Sequence, residues 1–306
     1  MNNPPIRTRM APSPTGELHV GSLSIILKNY AFARKNGGKF VLRIEDTDLE
    51  RSRALWEEDI ITHLKWLGIE YDEGPDQKGE YGPYRQSKRI KTYRKYLEQL
   101  LKQENAYPCF CTEKELADER HFQKTKGKPP RYSGKCRKLS ESQIKKYKEQ
   151  GKKPVFRFKI PAQKIRFKDL IRGELEFDCS LFGDFVIAKD LNTPLYNFAV
   201  VIDDFLMQIS HVIRGEDHIA NTPKQILMQK ALNFQSPLYA HLPLILNPDR
   251  SKMSKRKQGS VPVTVKGFRE QGYLPEALIN YMVFLGWNPK DDREIFSLSD
   301  RQKNFL

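Results

Sequence analysis

The first residues able to do chemistry lie near the start of the chain, in the stretch 9–22. Its prolines and glycines fix backbone angles or let a ligand approach closely: Pro12, Pro14, Gly16 and Gly21. A strand-like run precedes this stretch and a helical apolar run follows it. The free N–H groups of that helix would favour a bound polyphosphate. The same composition also suits an ordinary turn between the first strand and first helix of any doubly wound domain.

A second candidate lies far along the chain, where a predicted strand at 241–246 leads into a basic segment. Five of the eight residues from 250 to 257 are cationic, namely Arg250, Lys252, Lys255, Arg256 and Lys257. Such a loop is suited to neutralising the charge that develops on a phosphate, with Lys252 and Lys255 as catalytic candidates. A nuclear-localisation cluster is the alternative, although such clusters rarely lie between a strand and a globular helix.

Charged residues also follow two further predicted strands. Glu45 and Asp48 come directly after a strand at 39–44, and Arg214 follows a strand at 209–213. Open α/β sheets bind ligands beyond the carboxyl ends of their strands, so all three side chains are ligand candidates, and the two carboxylates could hold an amino group or a ribose hydroxyl. A helix N-cap by Asp48 or Thr47 is the alternative, and it would leave Glu45 unexplained.

Three of the four cysteines form a candidate metal site. Cys109 and Cys111 are separated from Cys136 by a 24-residue loop, and Tyr132 offers a fourth, oxygen ligand for one structural zinc ion. Four unevenly spaced cysteines are too few for a disulfide framework in a chain of 306 residues. The alternative is a set of reduced, unligated thiols.

The order of the predicted elements indicates an α/β fold built on a split Rossmann-type parallel sheet. A strand at 6–11, a helix at 23–35 and a strand at 39–44 complete a βαβ unit. We therefore assign residues 1–70 to the first half of the sheet and residues 191–262 to the second half, which carries the basic loop.

The residues between and after these halves show other patterns. Alternating apolar and polar residues predict antiparallel strands at 155–160, 165–168 and 174–177. We therefore expect residues 71–190 to form an inserted α+β subdomain that contains the zinc site. Residues 263–306 are expected to form a short helical C-terminal segment.

Composition narrows the class of protein. With 39% hydrophobic and 30% charged residues the chain is typical of a soluble globular protein. It contains no uncharged apolar run of 18 residues and no export signal, so we expect a cytoplasmic protein without a membrane span. The net charge of +15 favours a polyanionic partner such as nucleic acid. A generally basic proteome is the alternative explanation of that charge.

The two candidate loops together resemble the paired signatures of class I aminoacyl-tRNA synthetases. Residues 19–22, His-Val-Gly-Ser, resemble the His-Ile-Gly-His signature, and residues 252–256, Lys-Met-Ser-Lys-Arg, resemble the Lys-Met-Ser-Lys-Ser signature. The surrounding sequence narrows the resemblance to glutamyl-tRNA synthetases, and it extends over essentially the whole chain up to residue 297. The segments that carry it are 11–16 with 18–21, 43–48, 82–87, 196–204, 211–218 and 272–287.

The resemblance implies a set of residues for each substrate. Glutamate would be bound by Arg9, Ser13, Glu45, Tyr196 and Arg214. Glu45 would pair with the α-ammonium group, and Tyr196 would donate to or line the side-chain end. The two arginines are suited to holding a carboxylate in fork geometry. ATP would be bound by His19, Gly21, Lys255 and Arg256, with His19 among the catalytic residues and Mg²⁺ accompanying the nucleotide.

The resemblance also implies a reaction and a partner. Glutamate would be activated as the adenylate and transferred to the terminal adenosine of tRNA(Glu), without an enzyme nucleophile. Residues 71–190 would bind the acceptor end of the tRNA, and residues 263–306 would begin a region that contacts its stem. Full-length relatives continue with a helical anticodon-binding region, and this chain stops as that would begin. We expect a monomer.

Three positions bear on the choice within this family. Ser22 replaces the second histidine of the first signature, as it often does in the glutamyl branch. Lys138 stands where glutamyl enzymes often have a zinc-binding His or Asp, and an ammonium group cannot bind a metal. Tyr132 instead fits the Cys-x-Cys, Tyr-x3-Cys arrangement of the paralogue, glutamyl-queuosine tRNA(Asp) synthetase.

That paralogue, which loads glutamate onto a modified anticodon base, is the alternative function. Against it stand the intact Lys-Met-Ser-Lys-Arg loop and residues 293–298, which resemble the start of the synthetase's next domain. A further alternative is a non-catalytic RNA-binding relative, or a truncated core that holds tRNA through its charge but selects it poorly.

Overall fold

The structure, a computed structural model, describes residues 5–246, 262–285 and 292–296. Its strands are β1 Arg7–Met10, β2 Lys39–Leu42, β3 Ala106–Cys109, β4 Val155–Phe158, β5 Lys164–Asp169, β6 Gly173–Asp178, β7 Val186–Asp190, β8 Thr193–Pro194, β9 His211–Gly215 and β10 Leu238–Leu242. Its α-helices are α1 Val20–Lys35, α2 Ala54–Trp66, α3 Ile90–Lys102, α4 Glu113–Thr125, α5 Glu141–Glu149, α6 Tyr196–Leu206, α7 Thr222–Leu232, α8 Val265–Glu270 and α9 Pro275–Phe284. In this described part, no helix is both long and apolar enough to span a membrane.

The predicted first βαβ unit is confirmed. β1 and β2 are parallel neighbours, with Arg7 opposite Lys39 and Met10 opposite Leu42, and α1 connects them. The prediction that α1 begins at residue 23 was wrong by one turn, because the side chain of His19 caps the helix and it begins at Val20.

The second half of the fold contains the parallel pair β9 and β10, in a sheet separate from that of β1 and β2, with His211 opposite Leu238 and Gly215 opposite Leu242. The strand predicted at 241–246 is misplaced, because β10 already ends at Leu242. Pro243 follows directly, and proline has no N–H group to donate to a ladder.

The two halves of the fold meet where β1 lies beside β9. The backbone N–H of Ser210 donates to the Arg7 carbonyl oxygen at 3.0 Å, and the Arg7 N–H donates to the Ser210 hydroxyl at 2.7 Å. The Asn29 amide of α1 donates to the Ile213 carbonyl oxygen at 3.0 Å. These hydrogen bonds bring the carboxyl ends of β1 and β9 to one edge.

The strands predicted within residues 71–190 form, but they belong to two different sheets. β4 pairs antiparallel with β3 and β7 in a four-stranded sheet of order β3–β4–β7–β8. β5 and β6 form an antiparallel hairpin, and β5 also pairs parallel with β10, where Asp169 lies opposite Tyr239. The hairpin therefore extends the sheet of β9 and β10, a pairing that the local alternation does not reveal. The domain boundaries stay predictions.

Two apolar clusters cover the faces of the sheet. One packs α1 and α2 with β2 and α9, and it includes Leu23, Phe40 and Met282. The other packs α3 and α6 with β4 and α7, and it includes Leu97 and Phe198. Val41 of β2 belongs to the second cluster although Phe40 belongs to the first, because successive side chains of a strand point to opposite faces.

Candidate active site

A cleft of about 1080 Å³ opens at the carboxyl ends of β1, β9 and β10. All the predicted glutamate and ATP residues that the structure describes line it: Arg9, Ser13, His19, Gly21, Glu45, Tyr196 and Arg214. The predicted Lys252, Lys255 and Arg256 lie outside the described residues. Residues as far apart in sequence as Arg9 and Arg214 thus converge at the carboxyl ends of the parallel strands, as the strand order predicts.

One wall of the cleft is the N-terminus of α1. The Nδ1 atom of His19 accepts a hydrogen bond from the Gly21 N–H at 3.0 Å, so the neutral imidazole carries its hydrogen on Nε2. A Cβ atom at position 21 would lie 3.1 Å from Nδ1, and glycine therefore leaves the room that this cap needs. The first turn of α1 has no acidic residue, and its N–H groups favour an anion in the cleft.

Residues 18–20 form backbone hydrogen bonds with residues 263–265, which follow the basic loop in sequence. The Val20 N–H donates to the Val263 carbonyl oxygen at 3.0 Å, and the Val265 N–H donates to the Leu18 carbonyl oxygen at 2.9 Å. On the other side of the basic loop, Leu244 and Ile245 line the cleft. Both described flanks of residues 247–261 therefore lie at the cleft.

A network of buried ions forms the floor of the cleft. Arg43 is fully buried, and it donates to Asp204 at 2.7 Å and to Glu45 at 3.0 Å. Arg9 also faces Asp204, with its Nε and Nη2 atoms 3.2 and 3.5 Å from the carboxylate oxygens. Two nitrogen atoms of Arg9 thus donate to Asp204 rather than to a substrate. This differs from the sequence-based expectation that Arg9 holds a substrate carboxylate in fork geometry. Burial raises the pKa of Glu45, whereas the charges of Arg43 and Arg9 oppose that rise.

A further buried carboxylate, that of Asp203, adjoins this network. Asp203 is completely buried and accepts hydrogen bonds from Arg89 at 2.6 Å, from Gln86 at 2.8 Å and from the Tyr93 hydroxyl at 2.8 Å. The Arg43 Nε atom lies 3.8 Å from the same carboxylate. The helix α6, which carries Asp203, is therefore fixed against β2 and α3.

Arg214 differs in its partners from the buried arginines that form ion pairs, which are Arg7, Arg9, Arg43 and Arg89. It is 5% exposed, and it donates to three neutral groups: His241 at 3.2 Å, Thr222 at 2.8 Å and the Tyr196 hydroxyl at 3.5 Å. Among the described residues, no carboxylate lies within 4.0 Å of its guanidinium. Because a buried charge is costly without a counter-ion, this geometry suits a ligand that brings a carboxylate.

Tyr196, the first residue of α6, lies beside this guanidinium. Its hydroxyl is 3.1 Å from the Nδ1 atom of His218. Burial, followed by the charge of Arg214, lowers the pKa of His218 to about 4, so the imidazole is neutral at pH 7. The tyrosine hydroxyl is therefore within hydrogen-bonding distance of two protein partners, and Tyr196 lines the cleft.

The predicted metal residues also come together. The sulfur atoms of Cys109, Cys111 and Cys136 lie within 4.8 Å of one another, with 3.5 Å between those of Cys111 and Cys136. The Tyr132 hydroxyl oxygen is 3.4 Å from the Cys109 sulfur and 3.7 Å from the Cys111 sulfur. The interaction with Cys136 lowers the pKa of Cys109 to about 4, which favours a thiolate.

Sequence reasoning missed several polar residues of the site: Arg43, Asp203, Asp204, Thr222 and His241. One signal was available, since Arg43 lies in the otherwise apolar run 40–44, where a charge requires buried partners. The identity of those partners was not available, because Asp204 lies 161 residues away in sequence.

The comparisons with known proteins cover nearly the whole chain. Residues 5–306 match the family model for the catalytic domain of tRNA synthetases class I (E and Q). The chain is 54% identical to a glutamate–tRNA ligase 1 of Caldicellulosiruptor saccharolyticus and 52% identical to a glutamate–tRNA ligase of a Sulfurihydrogenibium species. These alignments cover 98% of this chain and 61% and 62% of the two relatives.

A solved structure shows the same fold. A crystal structure of a glutamate tRNA ligase from Elizabethkingia meningosepticum, in complex with its amino acid, superposes with a TM-score of 0.91 at 40% identity. The superposition covers 98% of this chain and 64% of that protein, so the chain spans about three fifths of the relatives it matches. The chain therefore belongs to the class I tRNA synthetase family that comprises the glutamyl and glutaminyl enzymes, and it corresponds to their catalytic domain.

Proposed function

We propose that this chain activates L-glutamate with ATP and transfers the glutamyl group to the 3′-terminal adenosine of tRNA(Glu), releasing pyrophosphate and AMP. The observation that carries this proposal is the buried Arg214, which faces a cleft and has no carboxylate within 4.0 Å among the described residues. The names of relatives more than 50% identical to the chain support the same reaction.

Glutamate would lie across the floor of the cleft. Its side-chain carboxylate would receive hydrogen bonds from Arg214, beside the Tyr196 hydroxyl. Its α-ammonium group would face the carboxylate of Glu45, which Arg43 holds from the other side at 3.0 Å. Ser13 and the remaining Nη1 atom of Arg9 would contact the backbone end of the amino acid. A glutamine side chain offers no negative charge to Arg214, which favours glutamate.

ATP would lie against the N-terminus of α1. Gly21, which leaves room for the His19 cap, would lie against the nucleotide, and the Nε2–H group of His19 would donate to it. Lys252, Lys255 and Arg256 would reach the phosphates from the basic loop, whose described flanks lie at the cleft. Mg²⁺ would enter bound to the phosphate oxygens, since it retains several water ligands and needs few protein ligands.

The reaction then depends on position rather than on an enzyme nucleophile. The α-carboxylate of glutamate attacks the α-phosphorus of ATP, and the bond to pyrophosphate breaks. A ribose hydroxyl of the terminal adenosine attacks the new acyl carbon, and AMP leaves. The lysines stabilise charge on the phosphates, and the arginine network keeps the two substrates aligned.

A structural zinc ion would be bound by Cys109, Cys111, Tyr132 and Cys136. Tetrahedral Zn–S bonds of about 2.3 Å place sulfur atoms about 3.8 Å apart, and the observed 3.5 Å between two of them fits that geometry. Such an ion would cross-link β3 to the loop before α5. The insertion would place the acceptor end of the tRNA at the cleft, helped by the net charge of +15. A monomeric, cytoplasmic enzyme stays a prediction.

Aminoacylation of total tRNA with radiolabelled glutamate tests this proposal. The expected product is tRNA(Glu) carrying an alkali-labile ester at its 3′ end. Charging of tRNA(Asp) at its anticodon base would indicate the paralogous activity, whereas tRNA binding without charging would indicate a non-catalytic relative. A second assay is ATP–pyrophosphate exchange, which we expect to require tRNA(Glu). Rapid exchange without RNA would contradict the proposed charging of tRNA(Glu) and favour the paralogous activity.

A further inference from the structure

A row of three buried side chains crosses the sheet beneath the cleft. It runs from Asp169 on β5 through His241 on β10 to Arg214 on β9, and His241 and Arg214 are register partners. The exposed fractions of these residues are 1, 0 and 5%. The reaction proposed above assigns no role to Asp169 or His241.

The hydrogen bonds in this row have a defined direction. The Nε atom of Arg214 lies 3.2 Å from His241 Nε2, and a guanidinium always donates, so Nε2 accepts. The imidazole Nδ1 lies 2.6 Å from a carboxylate oxygen of Asp169 and therefore donates to it. Burial, followed by the charge of Arg214, lowers the pKa of His241, which keeps the ring neutral.

Asp169 is itself fixed by the turn that follows β5. Its Oδ1 atom accepts the backbone N–H groups of Ile171 and Arg172, each at 2.9 Å. Its Oδ2 atom accepts the His241 backbone N–H at 3.1 Å in addition to the imidazole. The carboxylate therefore sets the position and the tautomer of the imidazole.

Arg214 is then oriented by two of its nitrogen atoms. Nε is held by His241, and Nη2 is held by the Thr222 hydroxyl at 2.8 Å. The Nη1 atom is directed toward Tyr196 at the cleft. We propose that Asp169 and His241 are positioning residues that orient Arg214 for the side-chain carboxylate of an acidic amino acid. The proposal rests on the proposed binding of glutamate in this cleft.

Three variants distinguish a role in orienting Arg214 from a role in the stability of the fold. Asp169→Asn keeps an oxygen for the turn but places an amide NH₂ group against Nδ1, which favours the Nε2–H tautomer and sets two donors against each other. His241→Leu removes the acceptor for Arg214. His241→Gln offers an amide oxygen in its place and is the conservative rescue. His211→Gln is the matched control. His211 is likewise a buried strand histidine, but it lies on β9 and its imidazole hydrogen-bonds to Ser210 rather than to Arg214.

Calorimetry with glutamate, glutamine and ATP measures the effect. Loss of one hydrogen bond to a charged group predicts that Asp169→Asn and His241→Leu weaken glutamate binding by about 10-fold or more. Their ATP binding should stay within about 2-fold of wild type. His241→Gln should recover most of the glutamate affinity, and His211→Gln should retain it. NMR of ¹⁵N-histidine-labelled protein should show the Nδ1–H tautomer of His241, and Asp169→Asn should lose it.

Two results would overturn the positioning role. The first is unchanged glutamate affinity in folded Asp169→Asn and His241→Leu, and the second is an equal loss of glutamate and ATP affinity. In both cases the wild type still binds glutamate, so the proposed function survives. A wild-type protein that binds ATP but no glutamate, both without and with tRNA(Glu), would instead refute the proposed function, and the positioning role with it.

Discussion

Arg43 should be the most sensitive single ion of the cleft floor. It is 0% exposed, and three carboxylates lie within 4.0 Å of it, at 2.7 Å for Asp204, 3.0 Å for Glu45 and 3.8 Å for Asp203. In Arg43→Met, Asp203 keeps Arg89 as its partner and Asp204 keeps Arg9. Glu45 loses its ion pair and remains buried. The substitution therefore leaves one carboxylate largely uncompensated.

The expected loss of stability in Arg43→Met is that of breaking a buried ion pair by removing one partner. Such a change costs about 3–5 kcal/mol, and each kcal/mol lowers the melting temperature of a chain of this size class by roughly 2–4 °C. We therefore expect a decrease of roughly 6–20 °C at pH 8. Arg94→Met is the control, because the Arg94–Glu98 pair is about half exposed and contributes about 0.5 kcal/mol or less.

The destabilisation caused by Arg43→Met should depend on pH in a defined direction. Burial already raises the pKa of Glu45, and loss of Arg43 raises it further. A carboxyl group whose folded pKa is raised favours folding fully below its unfolded pKa, and that stability is lost as the pH rises through the folded pKa. The decrease caused by Arg43→Met should therefore be smaller at pH 5 than at pH 8.

Thermal unfolding followed by circular dichroism, at both pH values, measures these differences. The double variant Arg43→Met/Glu45→Gln removes the uncompensated carboxylate and should be more stable at pH 8 than the single variant. A double variant no more stable than Arg43→Met, or a single variant with the small effect of Arg94→Met, would refute the reasoning.

Three further changes test other parts of the site. Arg214→Gln should weaken glutamate binding by about 10²-fold with ATP binding retained, since a carboxylate loses its charged partner; equal calorimetric losses for both ligands would contradict this. Lys255→Ala should lower the single-turnover rate of adenylate formation by about 10²-fold or more, and an unchanged rate would exclude its phosphate role. Cys136→Ser should reduce bound zinc, measured by plasma mass spectrometry, from one equivalent to a small fraction, whereas Cys179→Ser should retain it; a wild type purified with zinc in the medium but without bound metal would refute the site.

Part of the cleft lining was predictable from positions at strand ends. Glu45 follows an apolar run and Arg214 ends one, and both line the cleft. Arg9 lies within β1, and only the family resemblance indicated it. Cys109, Cys111 and Cys136 were also predictable, since their spacing and their side-chain chemistry indicate one site.

The supporting residues were not predictable from local pattern. Asp169 reaches His241 only because β5 pairs with β10, and the sequence alternation of β5 is the same whether or not that pairing forms. The partner of Arg9 was likewise unexpected, because Asp204 lies in a helix 195 residues away. Long-range pairing of buried ions depends on the tertiary arrangement, which periodicity does not encode.

A crystal structure of the chain with glutamate and a non-hydrolysable ATP analogue is the most direct test of the account. We expect the side-chain carboxylate of glutamate within about 3 Å of the Arg214 guanidinium and the nucleotide against Gly21 at the start of α1. Glutamate bound with its side chain away from Arg214, or a nucleotide bound outside this cleft, would contradict the account.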